Sequence, residues 1–318
     1  MPSTQDFYGQ ASPATSTQGP TITDLTRSFV LHLRALNSAA RTIDTYCEGL
    51  RQFTRFLTAR NMPQAVGSIS REHVREWLVD QQMRGLTPGT QSTRLGAVQA
   101  FYKWALDEGE VTSSPVARMP HPRPGEKAPV LPTLAQLARL FKLCEGKSFI
   151  DRRDAALLWM LLDTGMRRFE IAGLRLSDVD WERARILVRA KGSQRRTRER
   201  WAHLGRRALR ALDAYLRIRA RHHYADRPEL WLGMQGPLGS AALYDRVKLR
   251  VAAAGIGWMH PHSFRHTFAH LFLEAGGQEG DLRELGGWNS DILWLYGKAQ
   301  RSDRAMAAHE RLSPGDRI

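Results

Sequence analysis

Apolar side chains recur at three- and four-residue intervals in four stretches of the first third of the chain, roughly 22–36, 40–60, 70–84 and 90–110. That spacing predicts four amphipathic helices. Ser70 stands where the third would take its N-cap, and Thr87-Pro88-Gly89 marks a turn before the fourth. A proline-rich stretch follows, with prolines at 115, 120, 122, 124, 129 and 132. Prolines remove backbone donors and hold the chain extended, so residues 121–132 are predicted to be a stiff linker. The second domain begins near Thr133, and within it Asp151 to Thr164 reads as an apolar helix stopped by Gly165. The pattern then changes to alternation. ARILVRAKG and RRTRERWAHL alternate in the strand manner around Gly192-Ser193-Gln194, which predicts a hairpin. Everything after about Leu204 returns to helix, with loops near 227–239 and 255–258. Residues 1–21 are polar and carry neither the basic start nor the apolar run of a signal peptide, and so are expected to be a disordered tail. The predicted order is tail (1–21), helical domain (22–120), linker (121–132) and second domain (133–318). The fold class is mainly α with a small β-hairpin or sheet.

Charge narrows the function. The chain has 318 residues and a net charge of +15, with +4 in residues 22–125 and +12 in residues 126–318. Of its 47 basic side chains only seven are lysines, so arginine, which meets phosphate with a planar two-pronged fork, dominates. A polyanionic partner, most simply nucleic acid, is implied. Two cysteines, Cys47 and Cys144, are too few for a disulfide framework or a zinc site, which fits a reducing cytoplasm. No apolar run approaches the roughly 20 residues that span a bilayer, so no membrane partner is expected.

Four segments hold side chains able to handle a phosphodiester. Thr164-Gly165-Met166-Arg167 puts an arginine after a helix-ending glycine and at the start of the next helix, where free N–H groups also favour an anion. Lys191 is the only lysine among the arginines of the hairpin, and an amine can give up a proton where a guanidinium cannot, which makes it a candidate general acid. Its other reading is a solvated basic tip lying on a DNA backbone. In His260-Pro261-His262-Ser263-Phe264-Arg265-His266, His262 and Arg265 share a helix face and can converge on one phosphate, with His266 behind them or in packing. His262, His266 and His270 recur every four residues, so zinc is a rival reading there, although no carboxylate lies among them. The fourth segment, Gly286 to Lys298, contains Tyr296, which reads either as a nucleophile or as a packing residue.

In this order the segments resemble the tyrosine recombinase (phage integrase) family, and the resemblance covers nearly the whole chain. It implies a helical SAM-like core-binding domain followed by a mixed α+β catalytic domain. The family's first arginine falls on Arg167, the acidic residue three positions later on Glu170, the hairpin lysine on Lys191, the His-x-x-Arg pair on His262 and Arg265, and the nucleophile on Tyr296. Trp288 takes the His/Trp position, eight residues before Tyr296 where the family has nine, and Phe169 stands where many members have a small hydroxyl residue.

The resemblance implies a site-specific recombinase that uses no metal, ATP or other cofactor. Arg167 and Arg265, with His262 and the Trp288 indole, would neutralise the phosphate oxygens, and Lys191 would protonate the departing 5′ oxygen. Glu170 and His266 would orient their neighbours. Tyr296 would form a 3′-phosphotyrosyl intermediate, with four protomers on inverted-repeat core sites of double-stranded DNA passing through a Holliday junction. The short start of the chain implies a simple recombinase without an arm-binding domain. A fold-sharing DNA binder without activity and a relaxing topoisomerase remain open. The C-terminal SDRAMAAHERLSPGDRI would pack on its own domain or on a neighbour.

Overall fold

A computed structural model describes residues 19–123, 130–191 and 197–288, together with positions 306, 309, 310, 313 and 316. The chain divides into two compact units between Lys127 and Ala128. Among the described residues no helix is long and apolar enough to cross a membrane.

The first unit holds α1 (Ile22–Ala35), α2 (Ala40–Ala59), α3 (Arg71–Met83) and α4 (Pro88–Asp107). These are the four helices that the apolar spacing predicts. Ser70 caps α3 as expected, its hydroxyl accepting from the His73 N–H. Two details differ from the sequence reading. Residues 20 and 21 belong to the fold, because Thr21 caps α1 through a reciprocal pair with Asp24 and the Pro20 carbonyl accepts from the Val66 N–H. Thr87-Pro88-Gly89 is no separate turn: Thr87 is the N-cap of α4 and Pro88 opens its first turn, where a missing N–H costs nothing. Phe29, Phe53, Trp77, Leu95, Val98, Phe101 and Tyr102 fill the core. Gly49 allows α2 to lie close against α4, since a Cβ there would sit 2.5 Å from that of Ala97.

The second unit begins with α5 (Leu134–Lys142) and the buried helix α6 (Phe149–Thr164), which Ser148 caps and which starts two residues before the predicted Asp151. Gly165 ends α6 in the left-handed conformation, as predicted. The short α7 (Arg168–Ala172) leads to a three-stranded antiparallel sheet, β1 (Val179–Asp180), β2 (Arg185–Lys191) and β3 (Thr197–His203), in that order. The predicted hairpin is therefore present with an added edge strand, while residues 192–196 of its tip lie outside the described residues. Ile186, Val188 and Ala202 turn into the core with α6 and α8 (Arg206–Arg219). The expected loop at 227–239 contains a two-residue hairpin, β4 (Leu232–Gly233) with β5 (Gly236–Pro237), too short for alternation to reveal. Then come α9 (Ser240–Ala253), α10 (Pro261–Glu274) and α11 (Glu279–Gly286).

A buried carboxylate knits these helices together. Asp154 on α6 is fully buried and accepts from Arg153 at 2.7 Å, and from Arg246 and Arg250 of α9 at 2.7 Å each. Such a group is tolerated because each lone pair of the carboxylate is occupied by a charged donor.

Candidate active site

Arg167 is the N-cap residue of α7, and Glu170 is the third residue of that helix. The buried Glu170 carboxylate reaches back to accept from the Arg167 N–H at 2.9 Å and from its Nη1 at 2.9 Å. A capping interaction thus holds the backbone and the guanidinium of Arg167 together. Burial alone would raise the Glu170 carboxyl, but the hydrogen bonds and charges of Arg200 and Arg167 outweigh it and hold the group below the usual carboxylate range.

Arg265 comes from α10, whose N-terminus is set by the His260 side chain accepting from the Ser263 N–H and by Pro261 in the first turn. It is 2% exposed. Its Nη1 donates to two helix-terminal carbonyls, those of Gly165 and Gly286, at 2.7 Å each. Its guanidinium carbon lies 3.6 Å from the centroid of the Trp288 ring. The Nη2 is buried and has no hydrogen-bond partner among the described residues. Burial, and then the charge of Arg167, push this guanidinium down to about 9 from a value at which arginine is otherwise always protonated.

The end of α11 collects these arginines. The Leu285 carbonyl accepts from Arg200 Nε at 3.0 Å, that of Gly286 from Arg265 Nη1, and that of Gly287 from Arg167 Nη2 at 2.9 Å. Three consecutive carbonyls at a helix C-terminus, where the macrodipole is negative and acceptors lack intrahelical partners, each bind a different guanidinium. Gly287 permits the turn with its left-handed φ of 60°.

Arg200 was not singled out by the sequence reading. It pairs in register with the buried Val188, so it occupies a core-facing position of β3, in phase with Ala202. An arginine where alternation calls for an apolar residue is the signal that marks it. Its Nη2 contacts the same Glu170 carboxylate at 2.9 Å.

His262 and His266 stand one turn apart on α10 with ring centroids 4.3 Å apart. Both are held below the ordinary histidine value, first by desolvation and then by the surrounding positive charges; His266 is pushed down to about 4. Both are therefore neutral near pH 7. Among the described residues no group of three or more His, Cys, Asp or Glu side chains is placed to hold a metal ion. Trp288, expected as an N–H donor to phosphate, is 8% exposed and packs with Ala269, Leu273 and Leu282, its ring stacked on Phe268. Its burial gives it a further role as the platform under Arg265. Lys191 is the last residue of β2, paired with Thr197 across the hairpin. Tyr296 and most of the C-terminal segment lie outside the described residues.

The structure thus brings together Arg167, Glu170, Arg265, Trp288 and the previously unmarked Arg200. Two guanidinium groups, of Arg167 and Arg200, hold the Glu170 carboxylate, and the buried Arg265 adds a third that is bound only to backbone carbonyls, leaving an excess of positive charge that a phosphodiester would neutralise. Residues 133–293 match the profile of the phage integrase family, and residues 25–109 match the N-terminal SAM-like domain of phage integrases. The chain belongs to the phage integrase family. Relatives of this tyrosine recombinase include the tyrosine recombinase XerC of Bacillus pumilus, 30% identical over 260 residues that cover 78% of this chain and 82% of the relative. XerC of Xanthomonas campestris is 28% identical over 298 residues, covering 92% and 88%. Among solved structures, a lambda integrase dimer bound to a COC' core site superposes with a TM-score of 0.68 at 14% identity, covering 85% of this chain and 96% of that one. XerH recombinase bound to palindromic difH substrate gives 0.70 at 19%, covering 89% and 84%. These likenesses bear out the expected fold class, a helical SAM-like unit and a mainly helical unit carrying a small antiparallel sheet.

Proposed function

We propose that this tyrosine recombinase performs site-specific recombination on double-stranded DNA, without metal or ATP, through a 3′-phosphotyrosyl intermediate on Tyr296. The observation that carries the reading is the buried Arg265, whose guanidinium is offset by no carboxylate of its own and keeps one nitrogen unpartnered among the described residues beside Arg167. Burying a cation without its counterion is costly, and a phosphodiester supplies the missing charge in a geometry that matches the fork.

In this mechanism Arg167 and Arg265 bind the non-bridging oxygens, and the neutral His262 adds a hydrogen bond. The cations lower the cost of the Tyr296 phenolate, which ordinarily forms near pH 10. The Tyr296 oxygen bonds to phosphorus as the P–O5′ bond breaks, and Lys191 gives its proton to the departing 5′ oxygen. The phosphotyrosyl ester conserves the energy of the phosphodiester, so a 5′ hydroxyl from a partner duplex can reverse the step. Two rounds pass through a Holliday junction. The assembly is a tetramer on inverted-repeat core sites, with the helical unit and the catalytic unit both contributing to DNA binding, in the cytoplasm. The task is integration or excision of a mobile element, or resolution of dimers, both of which use the same chemistry.

The test is trapping on a nicked duplex carrying a core site selected from random DNA, with chelator present, followed by denaturing electrophoresis and peptide mapping. The expected result is a chelator-resistant adduct on Tyr296. Tight binding with no adduct on any tyrosine would favour a non-catalytic DNA binder. Supercoil relaxation without a second site would favour a topoisomerase.

A further inference from the structure

We propose that Arg200 is a positioning residue of this recombinase, tying Glu170 to the end of α11 and through both fixing the guanidinium of Arg167. The inference rests on the reading of Arg167 as a phosphate ligand given above.

The contacts close a ring. Arg200 Nη2 donates to Glu170 Oε2 at 2.9 Å, and Glu170 accepts from the backbone and side chain of Arg167. Arg167 Nη2 donates to the Gly287 carbonyl, and two residues earlier the Leu285 carbonyl accepts from Arg200 Nε. The ring joins three elements distant in sequence: α7, β3 and the end of α11. Arg167 and Arg200 each touch both Glu170 and the end of α11, and Arg200 does so from β3. Its side chain is 13% exposed, against 45% for Arg167. Arg167 is therefore the residue presented outward, and Arg200 acts from behind it. Substitution by lysine cannot reproduce this role, because a single ammonium lacks the fixed fork that serves two acceptors in different directions.

Positioning and simple packing predict different measurements. If Arg200 acts through Glu170, its removal leaves that carboxylate buried with less positive charge to offset the burial, so its protonation moves to higher pH. Cleavage should then fail at a higher pH than in the wild type. The experiment uses the full chain as wild type, Arg200→Met, Arg200→Lys, Glu170→Gln and the Glu170→Gln/Arg200→Met double variant. Affinity for the selected core-site duplex and the single-turnover cleavage rate at saturating DNA are measured as functions of pH.

Arg200→Met should slow cleavage about 100-fold while weakening DNA binding less than about threefold, and should shift the acid limb of the rate profile upward. Arg200→Lys should restore the acid limb without restoring the full rate. In the Glu170→Gln background, Arg200→Met should cost less than about threefold more, because both changes break one ring. An unmoved acid limb, or losses that multiply in the double variant, would overturn the proposal. Equal loss of affinity and rate would do the same. Should Arg200→Met fail to fold, Arg200→Lys decides by rate alone: it should slow cleavage in the wild-type background and cost less than about threefold more in the Glu170→Gln background, and losses that multiply there would overturn the proposal. Absence of an adduct in the wild type would instead overturn the proposed function, whereas a normal wild type with unaffected variants overturns this inference alone.

Discussion

Arg265 and Trp288 form a stack in which the guanidinium carbon sits 3.6 Å from the centroid of the indole, and the Phe268 ring stacks on the same indole with centroids 6.1 Å apart and planes inclined by 12°. The face of the ring supplies negative quadrupole to a desolvated cation that no carboxylate touches among the described residues. Gly286 makes the packing possible, because a Cβ there would overlap the Trp288 ring. The arginine proposed to meet phosphate is thus held by two backbone carbonyls and an aromatic face, none of which competes for it as a carboxylate would.

The platform and the N–H donor readings of Trp288 separate in two variants. Trp288→Phe keeps a ring under the guanidinium and deletes the donor, whereas Trp288→Ala deletes both. Single-turnover cleavage should fall less than about tenfold for phenylalanine and about 100-fold for alanine. Equal losses in the two variants would assign the indole N–H the greater share.

Tyr296→Phe should abolish covalent attachment while changing DNA affinity less than about twofold. One hydroxyl contributes little to an interface dominated by phosphate contacts. Gel shift and adduct trapping on the same duplex check both halves. A phosphotyrosine adduct persisting in the variant would place the nucleophile elsewhere.

Different parts of the structure were legible in the sequence to different degrees, for identifiable reasons. The helices of both units and the β2–β3 hairpin follow from periodicity, because burial on one face imposes it. Arg167 was legible as an arginine at a helix start, which is a local feature, and Glu170 through the family resemblance, which spaces it three residues on. The end of α11 was not, since its contribution is made by the Leu285, Gly286 and Gly287 carbonyls, and a backbone acceptor leaves no mark on residue type. Arg200 was visible only as a break in strand alternation, and that break gains meaning from Glu170, thirty residues away.

Lys191→Ala should slow cleavage about 100-fold or more with little change in affinity, since a general acid acts only as the 5′ oxygen departs. Replacing the bridging 5′ oxygen of the substrate by sulfur gives a leaving group that needs no proton. The variant should then cleave at close to the wild-type rate. A variant equally slow on both substrates would remove Lys191 from the proton transfer.

The His262–His266 pair makes stability depend on pH. His266 is protonated in the folded chain only near pH 4, against 6.5 as its ordinary value. Between these values the unfolded chain takes up a proton that the folded chain refuses, so stability is full above about pH 6.5 and declines as the pH falls toward 4. His262, also held low, adds to the decline with the same sign. Melting temperatures at pH 7 and 4.5 should therefore differ less for His266→Gln than for the wild type. Identical differences would show that His266 is not the group responsible.

Gly165→Ala should damage both the fold and the chemistry, for reasons that can be separated. The residue ends α6 with φ at 57°, and a Cβ there would lie 2.6 Å from the Phe268 ring. The left-handed conformation alone costs a non-glycine residue about 1–2 kcal/mol, and displacement of Phe268 adds to this. Gly85 provides the comparison: its φ is 73°, but nothing lies within 4 Å of its Cβ position. Gly85→Ala should therefore show the conformational cost by itself, and Gly165→Ala a larger loss in urea titration. Phe268→Leu combined with Gly165→Ala should recover part of the ring contribution and none of the conformational one. Because the Gly165 carbonyl accepts from Arg265 and Phe268 stacks on Trp288, cleavage by the folded Gly165→Ala protein should also drop more than about tenfold, while Gly85→Ala cleaves normally. Equal stability losses at the two glycines would show that the Phe268 ring yields at no cost, and that the stack beneath Arg265 is looser than its geometry implies.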